Sequence, residues 1–328
     1  MERAFTLLKA LVARLWRTDR PLTATGLLML AALAGSLIGL SLDPRMITGA
    51  PAWLKPAKFA ISIAIYSFTL AWVFSYLPGW RKTRRSVGWT TAVVMVLELA
   101  IIDLQAWRGT TSHFNVGTPL DLTLFAVMGV GILVQTMTTI AVAVALWRQP
   151  FGDRAMGWAL RLGMSITILG GLTGGLMTQP TAAQLAGARA THRMTVSGAH
   201  TVGAPDGGPG LPGTRWSVEH GDLRVPHFAG LHALQVLPLA VLALRRRKMT
   251  ETRRSHLVII GGVSYTALFA LLLWQALRGL SVIHPDAITG AALTGWAIST
   301  AAMVWIACVH RNSLLSVVSL ATTLGGGR

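Results

Sequence analysis

The chain has 328 residues, of which 52% are hydrophobic and only 12% charged, with a mean hydropathy of +0.55. A soluble chain carries about twice that charged fraction, so a water-soluble globular domain is excluded. The formal charge of +17 follows in such an apolar chain from membrane topology and calls for no nucleic-acid partner.

The first 20 residues set Phe5, Leu8, Val12, Leu15 and Trp16 on one helical face, with Lys9, Arg14 and Arg17 away from it. This predicts an amphipathic helix over 1–20 lying in the inner membrane interface, where its cations meet anionic inner-leaflet lipids. No cleavable signal peptide is evident there. Eight apolar blocks follow, at roughly 22–42, 57–78, 87–107, 119–147, 158–178, 227–245, 257–277 and 286–308. Blocks of about 20 residues cross a bilayer core as helix, and a spanning segment must satisfy its own backbone. The predicted fold class is an all-α, polytopic helical bundle partnered by the lipid bilayer.

Twenty of the 29 Lys and Arg fall on the side that carries the N-terminus, including Arg81, Lys82, Arg84, Arg85 and the run Arg245–Lys248. Nine fall on the other side, four of them in one long loop. By the positive-inside rule both termini are cytoplasmic, with a cytoplasmic tail at 316–328, and the chain is a multi-pass protein of the bacterial cytoplasmic (inner) membrane. The single cysteine, Cys308, leaves no disulfide framework or thiolate cluster and reads as a packing residue.

Three ordered fragments recur. LAGSLIGLSLDP at 33–44 returns as LGGLTGGLMTQP at 169–180, and QAWRG at 105–109 returns as QALRG at 275–279. Lys58-Phe59, opening the second span, corresponds to His227-Phe228, opening the sixth. One insertion between the fifth and sixth spans reconciles the offsets. The pattern predicts a tandem 4+4 parallel repeat, 21–150 and 151–315, with the halves related by an axis along the membrane normal. Small residues Gly35 and Gly39, matched by Gly170, Gly171, Gly174 and Gly175, predict that spans 1 and 5 sit centrally, against each other.

Ionisable residues are sided. Seven of nine histidines and eight of twelve acids map to the outer half, so any site is expected to be extracytoplasmic. Span 3 carries Glu98 near mid-depth and Asp103 above it, then Gln105 and Arg108. A lipid-facing carboxylate costs at least about 2.5 kcal/mol, so both acids should point into the bundle. Either Glu98 is neutral and hydrogen-bonded, for example to Gln135, Thr138 or Thr139, or at least one of the two acids works as a proton carrier.

Span 6 opens DLRVPHFAGLHALQVLP, Asp222 to Pro238. His232 and Gln235 share a face, whereas His227 and His232 do not, so further ligands to any metal must come from other helices. His232 is then either a ligand or a buried imidazole donating to a carbonyl. The first half has Lys58 and Ile63 where the second has His227 and His232; the second has Leu268 and Leu273 where the first has Glu98 and Asp103. Such divergence is expected if one composite site lies between the halves. Gln105/Arg108 and Gln275/Arg278 are kept in both; the guanidiniums either clamp an anion bidentately or snorkel to headgroups.

The loop 180–226 carries PDGG and GPGLPG turns together with His192, His200, His220, Glu219 and Asp222, and reads as a lid over the bundle mouth. It lacks the GK[ST] ending of a phosphate loop. The segment HGDLRVPHFAGLHALQ at 220–235, preceded by GGPGLPGTRWS, resembles a family of bacterial multi-pass membrane proteins; the resemblance implies no activity. HExxH, SxxK and GxSxG arrangements are absent.

Three functional readings follow. In the first, haem b or a divalent metal (a redox-type site) is bound by His232 with His113 or His227, and His220 is a further metal ligand. Gln105, Gln275 and Gln235 line that site, and Arg108 and Arg278 meet its anionic groups. The second is a permease for a small anionic solute at the outer face, with Glu98 or Asp103 as proton carrier. The third is a structural or lipid-binding membrane subunit.

Overall fold

A computed structural model describes residues 2–309. The expected tail at 316–328, the last residues of the second repeat, and His310, Arg311 and Arg328 lie outside the described residues.

The regular structure of the described residues is helical, apart from two short ribbons and two isolated bridges. Its elements are α1 (Glu2–Thr18), α2 (Arg20–Leu42), α3 (Leu54–Val73), α4 (Arg81–Trp107), α5 (Pro119–Arg148), α6 (Arg154–Met177), α7 (Ala182–Thr191), α8 (Arg224–Leu231), α9 (Ala233–Arg245), α10 (Glu251–Leu277) and α11 (Ala287–Val309). Among the described residues seven helices are long and apolar enough to cross a membrane, and the count is eight when α8 and α9, bent by 44° at a short break, are taken as one span. Starts are set by side-chain caps. Asp19 accepts from Leu22 N, Thr118 from Asp121 N, Asp153 from Met156 N and Thr250 from Arg253 N, each satisfying a backbone donor that the first turn leaves orphaned.

Each group of four spans packs in the same order. In the first, α3 and α4 lie against α2 and against each other, and α5 against α4. In the second, α8–α9 and α10 lie against α6 and against each other, and α11 against α10. The C-terminal ends of α4 and α10 fold alike. Gly109 (φ 73°) and Gly279 (φ 76°) take the left-handed region, while Thr110 N returns to Gln105 O and Leu280 N to Gln275 O. This is the 6→1 closure that leaves glycine the residue of choice.

Each group also places a two-residue antiparallel ribbon before its second span. These are β1 (Met46–Ile47) with β2 (Ala50–Pro51), and β3 (Thr201–Val202) with β4 (Gly221–Asp222). Both ribbons lie at the end of the bundle that carries the long segment 178–223. The other end carries α1 and the connections rich in arginine.

The small-residue faces of α2 and α6 do not meet as expected. A Cβ added at Gly39 would lie 2.5 Å from the Trp53 ring, and one at Gly26 2.6 Å from Phe68. One at Gly170 would lie 2.6 Å from Leu231 N and 2.7 Å from Gly230 Cα. Each face therefore seats the next span, α3 or α8–α9, and not its counterpart in the other half. The two groups of spans share instead a buried core around the C-terminal end of α3. Leu70, Phe74 and Leu77 join Leu160, Met164, Leu234 and Leu237 in one core at the arginine-rich end. Beside it, α1 buries Leu15 and leaves Phe5, Leu7, Leu8 and Leu11 exposed.

Candidate functional site

At the ribbon end, α3 begins inside an apolar run with Lys55 and Lys58, one turn apart on a common face. Lys55 Nζ lies 3.0 Å from His113 Nδ1, and Lys58 Nζ donates to Thr214 O at 3.0 Å. No carboxylate lies within 4.0 Å of either ammonium among the described residues. Every ion-paired arginine at this end has its own acid: Arg45 with Asp43, Arg108 with Asp121, Arg224 with Asp222 and Arg278 with Asp286. The two lysines stand apart.

Three imidazoles gather beside them. His113, on the α4–α5 connection, is held among Phe59, Phe114 and Phe125, with ring centroids 5.5, 6.1 and 6.5 Å away. Its Nε2 faces Glu98 Oε1 at 3.5 Å. Burial first, then the charges of Lys55, His200 and His227, keep His113 well below the ordinary imidazole range. It is therefore neutral at pH 7: Nδ1 accepts from Lys55, and Nε2–H points at Glu98. The ring still keeps 21% of its side-chain surface exposed, whereas Glu98 keeps 3%.

His200, in the long segment, donates Nδ1–H to Asp206 Oδ2 at 2.6 Å. Asp206 is fixed in turn by the backbone N–H groups of His200 and Thr201. Burial alone would raise the Asp206 carboxyl, but the hydrogen bond and charge of His200 hold it well below the carboxylate range. Burial lowers His200 as well, against the opposing pull of Asp206. His227, one turn into α8, donates Nδ1–H to Gly170 O at 2.7 Å. With Nδ1 so occupied in both rings, each neutral Nε2 presents a lone pair. Neither Nε2 has a protein partner among the described residues, and both residues remain partly exposed.

The site is roofed by the segment 203–216. Gly207 (φ 106°) abuts Gly49 (φ 70°) of the β1–β2 turn so closely that a Cβ on Gly49 would lie 2.5 Å from Gly207 O. Arg215 adds a hydrogen bond to Gly49 O at 2.6 Å. The long segment is thus fastened to the β1–β2 turn that precedes α3.

Of the residues expected at the site, His113, His227 and Glu98 come together here. His232 does not. It falls at the break between α8 and α9, is exposed, and uses its carbonyl to accept from Gln235 N and Val236 N. Gln235 sits below the cluster, 3.3 Å from Thr69 Oγ1. Arg108 and Gln105 both donate to Asp121, and Arg108 also donates to Gln105 Oε1. Arg278 grips Asp286 and Thr289 Oγ1, while Gln275 donates to Ser281 O. Those four residues close helix ends, because a guanidinium with a carboxylate at 2.6 Å has its strongest partner already. Asp103 lies on another face of α4 and joins no ion pair. His220 is half-buried, its N–H bonded to Ser217 Oγ. Among the described residues no three His, Cys, Asp or Glu side chains gather as a metal site.

Sequence reasoning passed over Lys55, gave Asp206 no role, named His200 only among the histidines of the loop, and treated Lys58 only as the counterpart of His227. A signal for the lysines was present. They interrupt an apolar block, WLKPAKFA, on the side that the charge bias otherwise leaves poor in cations. No family model, curated protein or solved structure matches the chain.

Proposed function

We propose that this integral membrane protein binds a small oxyanion in the pocket of Lys55, Lys58, His113, His200 and His227, which opens to the extracytoplasmic side. The observation that carries the reading is the pair of partly buried ammoniums without a carboxylate. A cation out of bulk water needs a counter-charge, and every carboxylate nearby is taken or held at a distance by an imidazole. The lone pairs on His200 and His227 Nε2 suit a ligand that also offers a hydroxyl, such as hydrogen phosphate or a hydroxycarboxylate. Glu98, behind His113, is the acid placed to exchange a proton with it.

The topology follows from the charge bias: the arginine-rich end and both termini are cytoplasmic, and α1 rests on anionic lipid. The matched helix ends, ribbons and packing order of the two groups of spans support a duplicated four-span unit, with the pocket drawing unlike residues from each copy.

The test is equilibrium binding of sulfate, phosphate and lactate to the purified full chain in nanodiscs. Lys55→Met or Lys58→Met should weaken binding about tenfold or more, the loss expected for one charge-assisted hydrogen bond. Absence of binding for all three anions would overturn the reading.

A second reading has its own support. The anchoring of Nδ1 in His200 and His227, which leaves Nε2 open, is how second-shell acceptors orient imidazoles toward a metal or haem iron. An absorption spectrum of the purified chain with a Soret band, or stoichiometric metal, would favour it over the anion; neither would remove it.

A further inference from the structure

The pocket does not end at the lysines. Along α3, Lys55, Lys58, Ser62, Tyr66 and Thr69 fall on one stripe at about 100° per residue. All five are partly exposed, whereas Ile61 and Ile65 beside them are open to lipid and Ala60, Ile63 and Ala64 are packed. The stripe is therefore neither a lipid face nor a packed one. From Lys55 to Thr69 it runs about 21 Å, some two-thirds of a bilayer core of about 30 Å.

Other spans face it with polar groups. Gln135 of α5 donates to Tyr66 Oη at 3.0 Å, Thr139 lies 3.3 Å from the same oxygen, and Gln235 of α9 reaches Thr69. None of the closely packed helix pairs joins α3 to α5 or α9; the three meet here through side chains. Gln135 is only 7% exposed, yet its Oε1 has no partner, an acceptor that a passing hydroxyl or water would satisfy. Beyond Thr69 the polar groups stop at a sealed layer of Phe74, Leu146, Leu160 and Leu237. The break at His232 and Pro238 within α9 put a hinge in the span beside that layer.

We infer that the chain is a carrier, in which the oxyanion bound at the lysines travels down the α3 stripe, between α5 and α9, to a gate at the Phe74 layer. This rests on the anion-binding reading above and extends it from binding to movement. A polar stripe that ends at a buried apolar layer, next to a broken helix, is an arrangement that alternating access can use.

The experiment is uptake of labelled phosphate, sulfate and lactate by proteoliposomes of the full chain, run beside binding in nanodiscs. Gln135→Leu and Thr69→Val should bind within about twofold of wild type, which also certifies their folding, while uptake falls at least tenfold. In a Cys308→Ser background, Ser62→Cys and Thr69→Cys should react with a charged thiol reagent and be protected by the anion, whereas Ile61→Cys should not react. Binding without uptake above protein-free vesicles, or unchanged uptake in both variants, would overturn the carrier and leave the binding site standing. Failure to bind any of the three anions would remove both.

Discussion

The second and sixth spans, α3 and α8–α9, occupy equivalent places and carry their cations in opposite ways. Arg224 opens α8 with its guanidinium on Asp222, which is 1% exposed, at 2.6 Å, and it also donates to Arg215 O. Lys55 and Lys58 open α3 with an imidazole and a carbonyl in place of any acid. The arginine completes a fold; the lysines have no acid of their own within 4.0 Å among the described residues. The glycine seats differ too. α3 lies on Gly26 and Gly39 through the rings of Phe68 and Trp53, whereas α8 meets Gly170 backbone to backbone. One central span is held by movable side chains and the other is fixed at its upper half, then broken below it.

Substitutions test that contrast. Arg224→Met strips a buried carboxylate of its partner and should cost about 3–5 kcal/mol, read as a collapse of the melting temperature in detergent. Gly170→Val should follow, at about 1–3 kcal/mol or more, because backbone cannot yield. The same change at Gly26 should cost less, since the Phe68 ring can turn aside; equal losses would erase the distinction. Lys58→Met should behave oppositely to Arg224→Met. Binding of sulfate weakens about tenfold, while the ligand-free protein melts no lower than wild type.

The dependence on pH is smaller and has a defined sign. His113 and His200 are held below the free imidazole value, so the unfolded chain takes up protons first as pH falls below about 6.5. Stability present above that value is therefore lost on acidification, seen as a falling melting temperature from about pH 7 to 5. Sulfate, which keeps its charge, should oppose the loss, and should bind a few-fold more tightly only at the acid end of the range, where the folded rings begin to gain protons. Binding that never tightens on acidification would place the imidazoles away from the anion. The least effect belongs to His232→Ala: at an exposed break, it should leave anion binding within error of wild type.

The spans were legible because a run of some 20 apolar residues can do little else. Their observed ends differ from the expected ones by only a few residues, mostly where a cap such as Asp153 or Thr250 starts the helix early. Glu98 and His227 could be singled out because ionisable groups in such blocks must face inward, whereas His113, on the connection between two blocks, stands out in the sequence only as an outer-half histidine. His232 satisfied the same rule and failed, because a break in the helix turned its side chain outward, and no periodicity foretells a break. Arg108 and Arg278 misled for a different reason: their acids, Asp121 and Asp286, lie 13 and 8 residues away, across a turn. His200 and Asp206 sit in a glycine-rich stretch where spacing carries no orientation, so only coordinates could pair them.

The Gly49–Gly207 junction closes the roof without a carboxylate. Backbone against backbone, joined by one guanidinium–carbonyl bond, it has no proton to lose and offers salt little to screen. Its release is accordingly mechanical: the β1–β2 turn must part from the loop that carries Gly207. A bridge of two cysteines across that junction would staple the mouth shut, and any movement that lifts the loop from the turn would have to unzip it.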